Sequence, residues 1–236
     1  VNPTLLVTFW KQRAVSAFRM AFILIAFTFP LLFITAVPSS WEQMLHDASG
    51  ITLVLAAGMI GQDVSSGVLH LLFARPVRRP EYVLSRWASV GIAASTIAIL
   101  QLGCAWLILI ARGFPPEPQT MPLLMAQRVF EVAQITAVMA MFSSLVNGIG
   151  DLGLWFVTSV TGGILQLAGQ AKQWPWMDRV GKEVSRIVGP EVGLATLAQG
   201  TGGWTPLAAT LSIAALALLA AVLLVNRKEL SYASSG

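Results

Sequence analysis

Charge is what this sequence has least of. Only 11% of its 236 residues are Asp, Glu, Lys or Arg, while the hydrophobic set reaches 56% and the mean hydropathy is +0.72. A soluble domain covers its surface with roughly 25% charged residues, so this composition excludes an ordinary water-soluble fold. Cysteine is nearly absent. Cys104 stands alone, which rules out an internal disulfide framework or a cysteine-based metal cluster and leaves it as a small packing residue. Of the two histidines, His46 has Glu42 and Asp47 nearby but no further His or Cys, so these read as loop residues and no metal site is assigned. A Gly-x-x-x-x-Gly-Lys-(Ser/Thr) phosphate loop is lacking as well. No internal repeat, low-complexity tract or soluble block large enough to fold alone interrupts the chain, and residues 1–236 read as a single transmembrane domain. The pI near 9.7 is explained by basic loops that set membrane topology, without nucleic acid.

What remains is apolar sequence broken into runs near twenty residues, the signature of an all-α polytopic membrane protein. Six spans are predicted, at about Ala17–Val37, Met44–Gly61, Trp87–Ala111, Leu124–Leu145, Leu152–Gly169 and Thr205–Val225. Pro30 should kink the first. Placing both termini inside puts nine cationic residues on that side: Lys11, Arg13, Arg19, Arg75, Arg78, Arg79, Arg86, Arg227 and Lys228. Five lie outside (Arg112, Lys172, Arg179, Lys182 and Arg186), four of them in one long loop where cations weigh less. The expected location is the cytoplasmic (inner) membrane, multi-pass, with cytoplasmic termini.

Two further segments are amphipathic at helical spacing. Leu6, Phe9, Trp10, Ala14 and Ala17 share one face before the first span, with Lys11 and Gln12 elsewhere. Trp176, Met177, Val180, Val184, Ile187 and Val188 share another before the sixth, opposite Arg179, Lys182, Glu183 and Arg186. Both are expected to be short helices in the headgroup layer. Thr158 and Gly162 in the fifth span have the small-xxx-small spacing of close helix packing. Asn147 and Asp151 bracket a short inner turn and are attributed to topology.

The densest polar signal is residues 63–87, a basic island between apolar spans. Val64–Phe73 fits a short helix that Arg75-Pro76 stops, because proline disfavours helix at the residue before it. Pro80 suits the first position of a new helix, with Glu81 in its first turn, running through Arg86 into the third span. The predicted shape is helix, basic turn, helix, with Arg75, Arg78 and Arg79 presented to the cytoplasm.

This segment resembles the loop between the second and third spans of ABC-2-type transporter permeases, membrane subunits of ABC exporters. The pattern is an acidic residue, Gly-(Thr/Val)-Leu, a Pro-(Val/Ile)-x-Arg turn and a basic residue at the start of the third span. Here these are Asp63, Gly67-Val68-Leu69, Pro76-Val77-Arg78-Arg79 and Arg86, with one acid where many members have two. The motif covers about 25 residues, and the six-span layout with its amphipathic segments is similar over the whole chain. The resemblance implies a permease without an ATPase site of its own and without a cofactor. ATP and Mg would be bound by a separate cytoplasmic ABC ATPase subunit, and a second permease subunit would complete a homodimer or heterodimer, with the first and fifth spans lining the central interface. It further implies ATPase coupling contacts at Asp63, Gly67, Leu69, Arg75, Pro76, Arg78, Arg79 and Glu81.

Arg128 and Glu131, three apart in the fourth span, read either as polar groups on a translocation path or as an i,i+3 ion pair. Met121, Met125, Met139 and Met141 are routine in apolar helices. Two other classes stay open: a membrane-embedded enzyme or assembly factor handling lipid or haem, and a non-transporting scaffold. No catalytic set of paired carboxylates, histidines or a nucleophile stands out for the former.

Overall fold

The computed structural model describes residues 17–45, 49–66 and 78–233. The amphipathic segment around Leu6–Ala14, His46 with Asp47, and 67–77 (including Gly67, Leu69, His70, Arg75 and Pro76) lie outside the described residues. Among those described, regular structure is helical: α1 Ala17–Ala36, α2 Trp41–Met44, α3 Ser49–Ala56, α4 Gly61–Ser65, α5 Arg79–Ala111, α6 Thr120–Leu145, α7 Gly150–Ala171, α8 Pro175–Val188, α9 Leu194–Ala198 and α10 Thr205–Ala233. Five of these, α1, α5, α6, α7 and α10, are long and apolar enough to cross a membrane.

These five correspond to the predicted first, third, fourth, fifth and sixth spans. α1 runs through Pro30 without a break. α5 starts as expected: Arg78 is extended (φ −73°, ψ 136°), Pro80 occupies the first turn with Glu81, and the helix continues without interruption through Arg86 and Trp87 to Ala111. The second predicted span, Met44–Gly61, is not one helix. α3 ends at Ala56, a turn occupies 57–60, and α4 then begins at Gly61. Gly58 has φ +65°, a left-handed conformation that interrupts the helix and favours a residue without Cβ.

α6 is the axis of the bundle, with α3, α5, α7 and α10 packed around it. Its Val132, Ile135, Val138 and Met139 share one core with Met59, Ile60, Tyr82 and Val83. A smaller cluster at the other end joins Ile34, Leu45, Leu102, Leu109 and Met121. The buried stripe of α10 is Thr210, Ala214, Ala217, Ala221 and Val225, while Leu211, Leu216, Leu219 and Leu223 face outward. In a lipid-like solvent helices associate by close packing of small side chains, and large apolar ones lose nothing by facing out.

The amphipathic α8 is a helix, as its periodicity predicts, but it does not lie apart from the spans. A tight turn, with Gln173 at φ +53° and the Trp174 amide donating to the Gly169 carbonyl at 2.8 Å, folds it back antiparallel on α7. Gln166 Nε2 donates to Gly181 O at 3.2 Å and Ser185 Oγ at 2.7 Å. A Cβ at Gly181 would meet the Gln166 backbone nitrogen at 2.6 Å and Gly162 O at 2.9 Å, so the two backbones nearly touch. Gly162 thus serves packing within the chain, against α8, while Thr158 turns its hydroxyl to Leu154 O.

Gly181→Ala should therefore destabilise the fold by about 1–3 kcal/mol, the range for overpacking. Gly163→Ala, where a Cβ meets nothing within 4 Å, should be neutral or slightly stabilising. Thermal unfolding of the two variants in detergent, followed by tryptophan fluorescence, checks the contrast.

Candidate functional site

The end of the bundle that bears residues 57–66, 78–86 and 143–151 carries a buried polar node. Its origin is the break in the second apolar run. A turn there frees backbone groups that need partners when no water reaches them. Gly58 N donates to Asp151 Oδ2 at 2.7 Å, and Ile60 N and Gly61 N donate to Ser143 Oγ at 2.9 and 2.8 Å. Gly148 N donates to Gly61 O at 3.0 Å. Arg19 Nη2 reaches Ala57 O and Gln62 Oε1, both at 3.0 Å. Three elements, α1, α6 and α7, thus hold one turn through side chains at the ends of their apolar stretches. Ser143 and Asp151 are both fully buried.

One turn beyond, Asp63 on α4 is buried to 9% exposure between Tyr82 and Arg86 of α5, which are 0% and 2% exposed. Tyr82 Oη donates to Asp63 Oδ2 at 2.6 Å, and Arg86 Nη2 forms an ion pair with the same oxygen. The guanidinium carbon also lies 6.0 Å from the Tyr82 ring centroid, within cation–π reach. Positions 82 and 86 are one helical turn apart, so both side chains leave the same face of α5. The chain that departs toward residues 67–77 and the chain that returns are bolted together at their roots.

The coupling residues expected from sequence fall into distinct settings. Asp63 is taken up inside the fold. Arg78 is exposed, whereas Arg79 is half-buried and donates to Asn226 O of α10 at 3.4 Å. Glu81 is half-buried in the first turn of α5. Gly67, Leu69, Arg75 and Pro76 belong to the undescribed stretch. Asp151, attributed to topology from sequence, instead caps the broken helix, and Arg19, Ser143 and Tyr82 were not singled out for this role. The signal available was a glycine inside an apolar run, with hydroxyl and carboxyl groups at the ends of neighbouring runs.

A second polar region lies farther along α6. Arg128 and Glu131, each 3% exposed, form the i,i+3 pair at 2.5 Å, and Gln127 Nε2 donates to the other Glu131 oxygen at 2.8 Å. α6 begins at Thr120, earlier than the predicted Leu124, so the pair sits two to three turns inside the helix. Glu131 lines a cleft of about 530 Å³ closed on one side by the 189–196 connection. Below it, Gln134 Nε2 donates to Arg186 O and Ile187 O at 2.5 and 3.1 Å, capping the last turn of α8. Ser143 and Glu131 are twelve residues apart on one helix, about 18 Å at 1.5 Å per residue. On the exposed part of α8 the Lys182 ammonium, 2.7 Å away, holds the Asp178 carboxyl below its usual range through its hydrogen bond.

No protein-family model matches this chain, and no curated protein matches it significantly. The roles of both polar regions therefore rest on geometry.

The node predicts a non-additive pair. Arg86→Met alone leaves a buried carboxylate and should cost roughly 3–5 kcal/mol, whereas Asp63→Leu combined with Arg86→Met should recover most of that loss. Denaturant unfolding of the single and double variants in mixed micelles measures the difference, and additive losses would argue against a coupled pair.

Proposed function

We propose that this chain is the membrane subunit of an ABC-type exporter of the ABC-2 class, driven by a separate cytoplasmic ATPase that docks on the segment between Asp63 and Arg86. The observation that carries the reading is the bolt at the roots of that segment. A push on residues 67–81 arrives at Asp63, Tyr82 and Arg86, and from there at the turn that Arg19, Ser143 and Asp151 hold. Helices α1, α6 and α7 are then displaced together by one local movement. A membrane subunit needs this arrangement to convert closure of a soluble partner into a change of access, biasing an equilibrium between two states of the bundle.

In this reading ATP and Mg belong to the partner, both termini face the cytoplasm, and a second permease subunit, identical or related, completes the assembly. The course of α8 supports a polar path on the far side. Ser185 packs against Gly162, twelve residues along α7 from Gly150, about 18 Å from the node end. The side chains of Lys182, Glu183 and Arg186 are 58%, 62% and 38% exposed. Charged groups at that depth face water or a polar surface in preference to lipid, so the assembly would enclose an aqueous vestibule along α8, beside the Arg128–Glu131 pair.

Co-expression with each ABC ATPase subunit encoded in the same genome, followed by purification in lipid nanodiscs, tests the proposal. The wild type should retain the ATPase, and Arg78→Glu, a reversal at the exposed arginine that leaves the Arg79–Asn226 contact in place, should lose most of it, as expected when a charged anchor is reversed at an interface. The variant's melting temperature should stay close to that of the wild type. Retention of the ATPase by the folded variant, or none with the wild type, would return the basic turn to a topology anchor and favour the enzyme or scaffold reading.

A further inference from the structure

Three adjoining cavities lie where α6, α7 and α8 meet the 189–196 connection, and Glu191 lines each of them. The cleft of about 530 Å³ has Gln127 and Glu131 on one wall and Pro190, Val192 and Ala195 on the other. A space of about 190 Å³ reaches Gln166 and Ser185. The smallest, about 10 Å³, holds Gln134 and Thr210 and is at the lower limit of what one water occupies.

The polar balance of this region is uneven. The lining cations Lys182 and Arg186 pair with Asp178 at 2.7 Å and Glu183 at 2.9 Å on their own helix, and the lining carboxylate Glu131 pairs with Arg128. Glu191 makes no ion pair among the described residues. Behind it Gln134 is fully buried. Its amide nitrogen is committed to two backbone carbonyls, and its Oε1 is buried without a hydrogen-bond partner. A buried acceptor left without a donor is costly. The region therefore offers two acceptors, one of them anionic, around a space the size of a single nitrogen, which shares Glu191 with a cleft that has one polar and one largely apolar wall and room for a small organic molecule.

We propose that this cleft is a binding site for a molecule bearing a protonated primary amine. The ammonium enters between Glu191 and Gln134 Oε1, with Glu191 as its counter-ion, and the apolar part of the ligand lies against Pro190, Val192 and Ala195. The N–H groups of the ammonium meet both acceptors at once; a quaternary head has no N–H to donate, and a neutral one has no charge to pair with Glu191.

Monodansylcadaverine, a fluorescent primary amine, provides the probe, titrated into the full chain in phosphatidylcholine nanodiscs. No ATPase is present, so the result is separate from the exporter reading: loss of ATPase binding leaves this site intact, and loss of amine binding leaves the coupling node intact. Saturable binding is expected, weakened about tenfold or more by Glu191→Gln, the scale of a lost charged hydrogen bond. The N-acetylated probe should bind wild type and variant equally weakly. Glu191 lies on an exposed connection, and an unchanged melting temperature verifies the variant's fold. Absence of saturable binding to the wild type overturns the proposal, as does equal affinity in Glu191→Gln or equal affinity for the acetylated probe.

Discussion

A backbone turn inside an apolar bundle creates donors and acceptors that neither water nor an adjacent helical turn can satisfy, and the turn at Ala57–Ile60 imposes that demand here. Each freed group recruits one specific side chain: Asp151 for Gly58, Ser143 for Ile60 and Gly61, Arg19 for the Ala57 carbonyl. Those side chains belong to α7, α6 and α1, so the relative placement of four segments follows from one interruption. Had the second apolar run been a continuous helix, its amides would have been paired internally and none of these contacts would be required. Gly61 adds a steric condition. A Cβ there would meet the carbonyl oxygens of Val146 and Gly148 at 2.7 Å, so the α6–α7 turn packs directly on the start of α4.

Around that fixed point the bundle is packed by what its helices omit. Ser85, Ser89, Ala93, Ala94 and Ala98 face inward on α5, and an alanine stripe does the same on α10. The large side chains Phe156, Val157, Ile164 and Leu167 of α7 face outward, and glycine and serine mediate its contact with α8. In a soluble protein this distribution would be inside out. Next to lipid, burying a leucine gains little, and close backbone approach contributes dispersion and polar contacts instead. The α7–α8 hairpin is the extreme case, and it carries a charged face down beside the hydrophobic spans.

Much of this was legible in the sequence, for definable reasons. Runs of twenty apolar residues locate five of the six expected spans as long helices, because each helix satisfies its own backbone, and Pro80 with Glu81 marked the start of α5. The amphipathic period of 176–188 gave a helix correctly. Its placement along α7 was hidden, because periodicity reports a polar face and not what covers the other. The second span was misread because length and hydropathy are blind to one left-handed residue, and Gly58 is a single glycine among twenty. Asp151 was attributed to topology, and Ser143 was not singled out, for a related reason. A polar residue at the end of a span has an easy explanation in topology, and only the three-dimensional break shows what it holds.

The two buried ion pairs differ in what they demand of the fold. Arg128 and Glu131 are three residues apart on one helix, so their pair forms as soon as α6 forms and survives movements of its neighbours. Asp63 and Arg86 are 23 residues apart on separate helices, and both are buried. Their pair exists only while α4 and α5 keep their mutual position, and separating them leaves two charges in a low-dielectric interior. The ends of α4 and α5 are therefore held to each other as one unit. Asp63 lies within two turns of chain from Gly58, where the hydrogen bonds to α1, α6 and α7 converge. The local pair stiffens one helix, and the non-local pair fixes one helix against another.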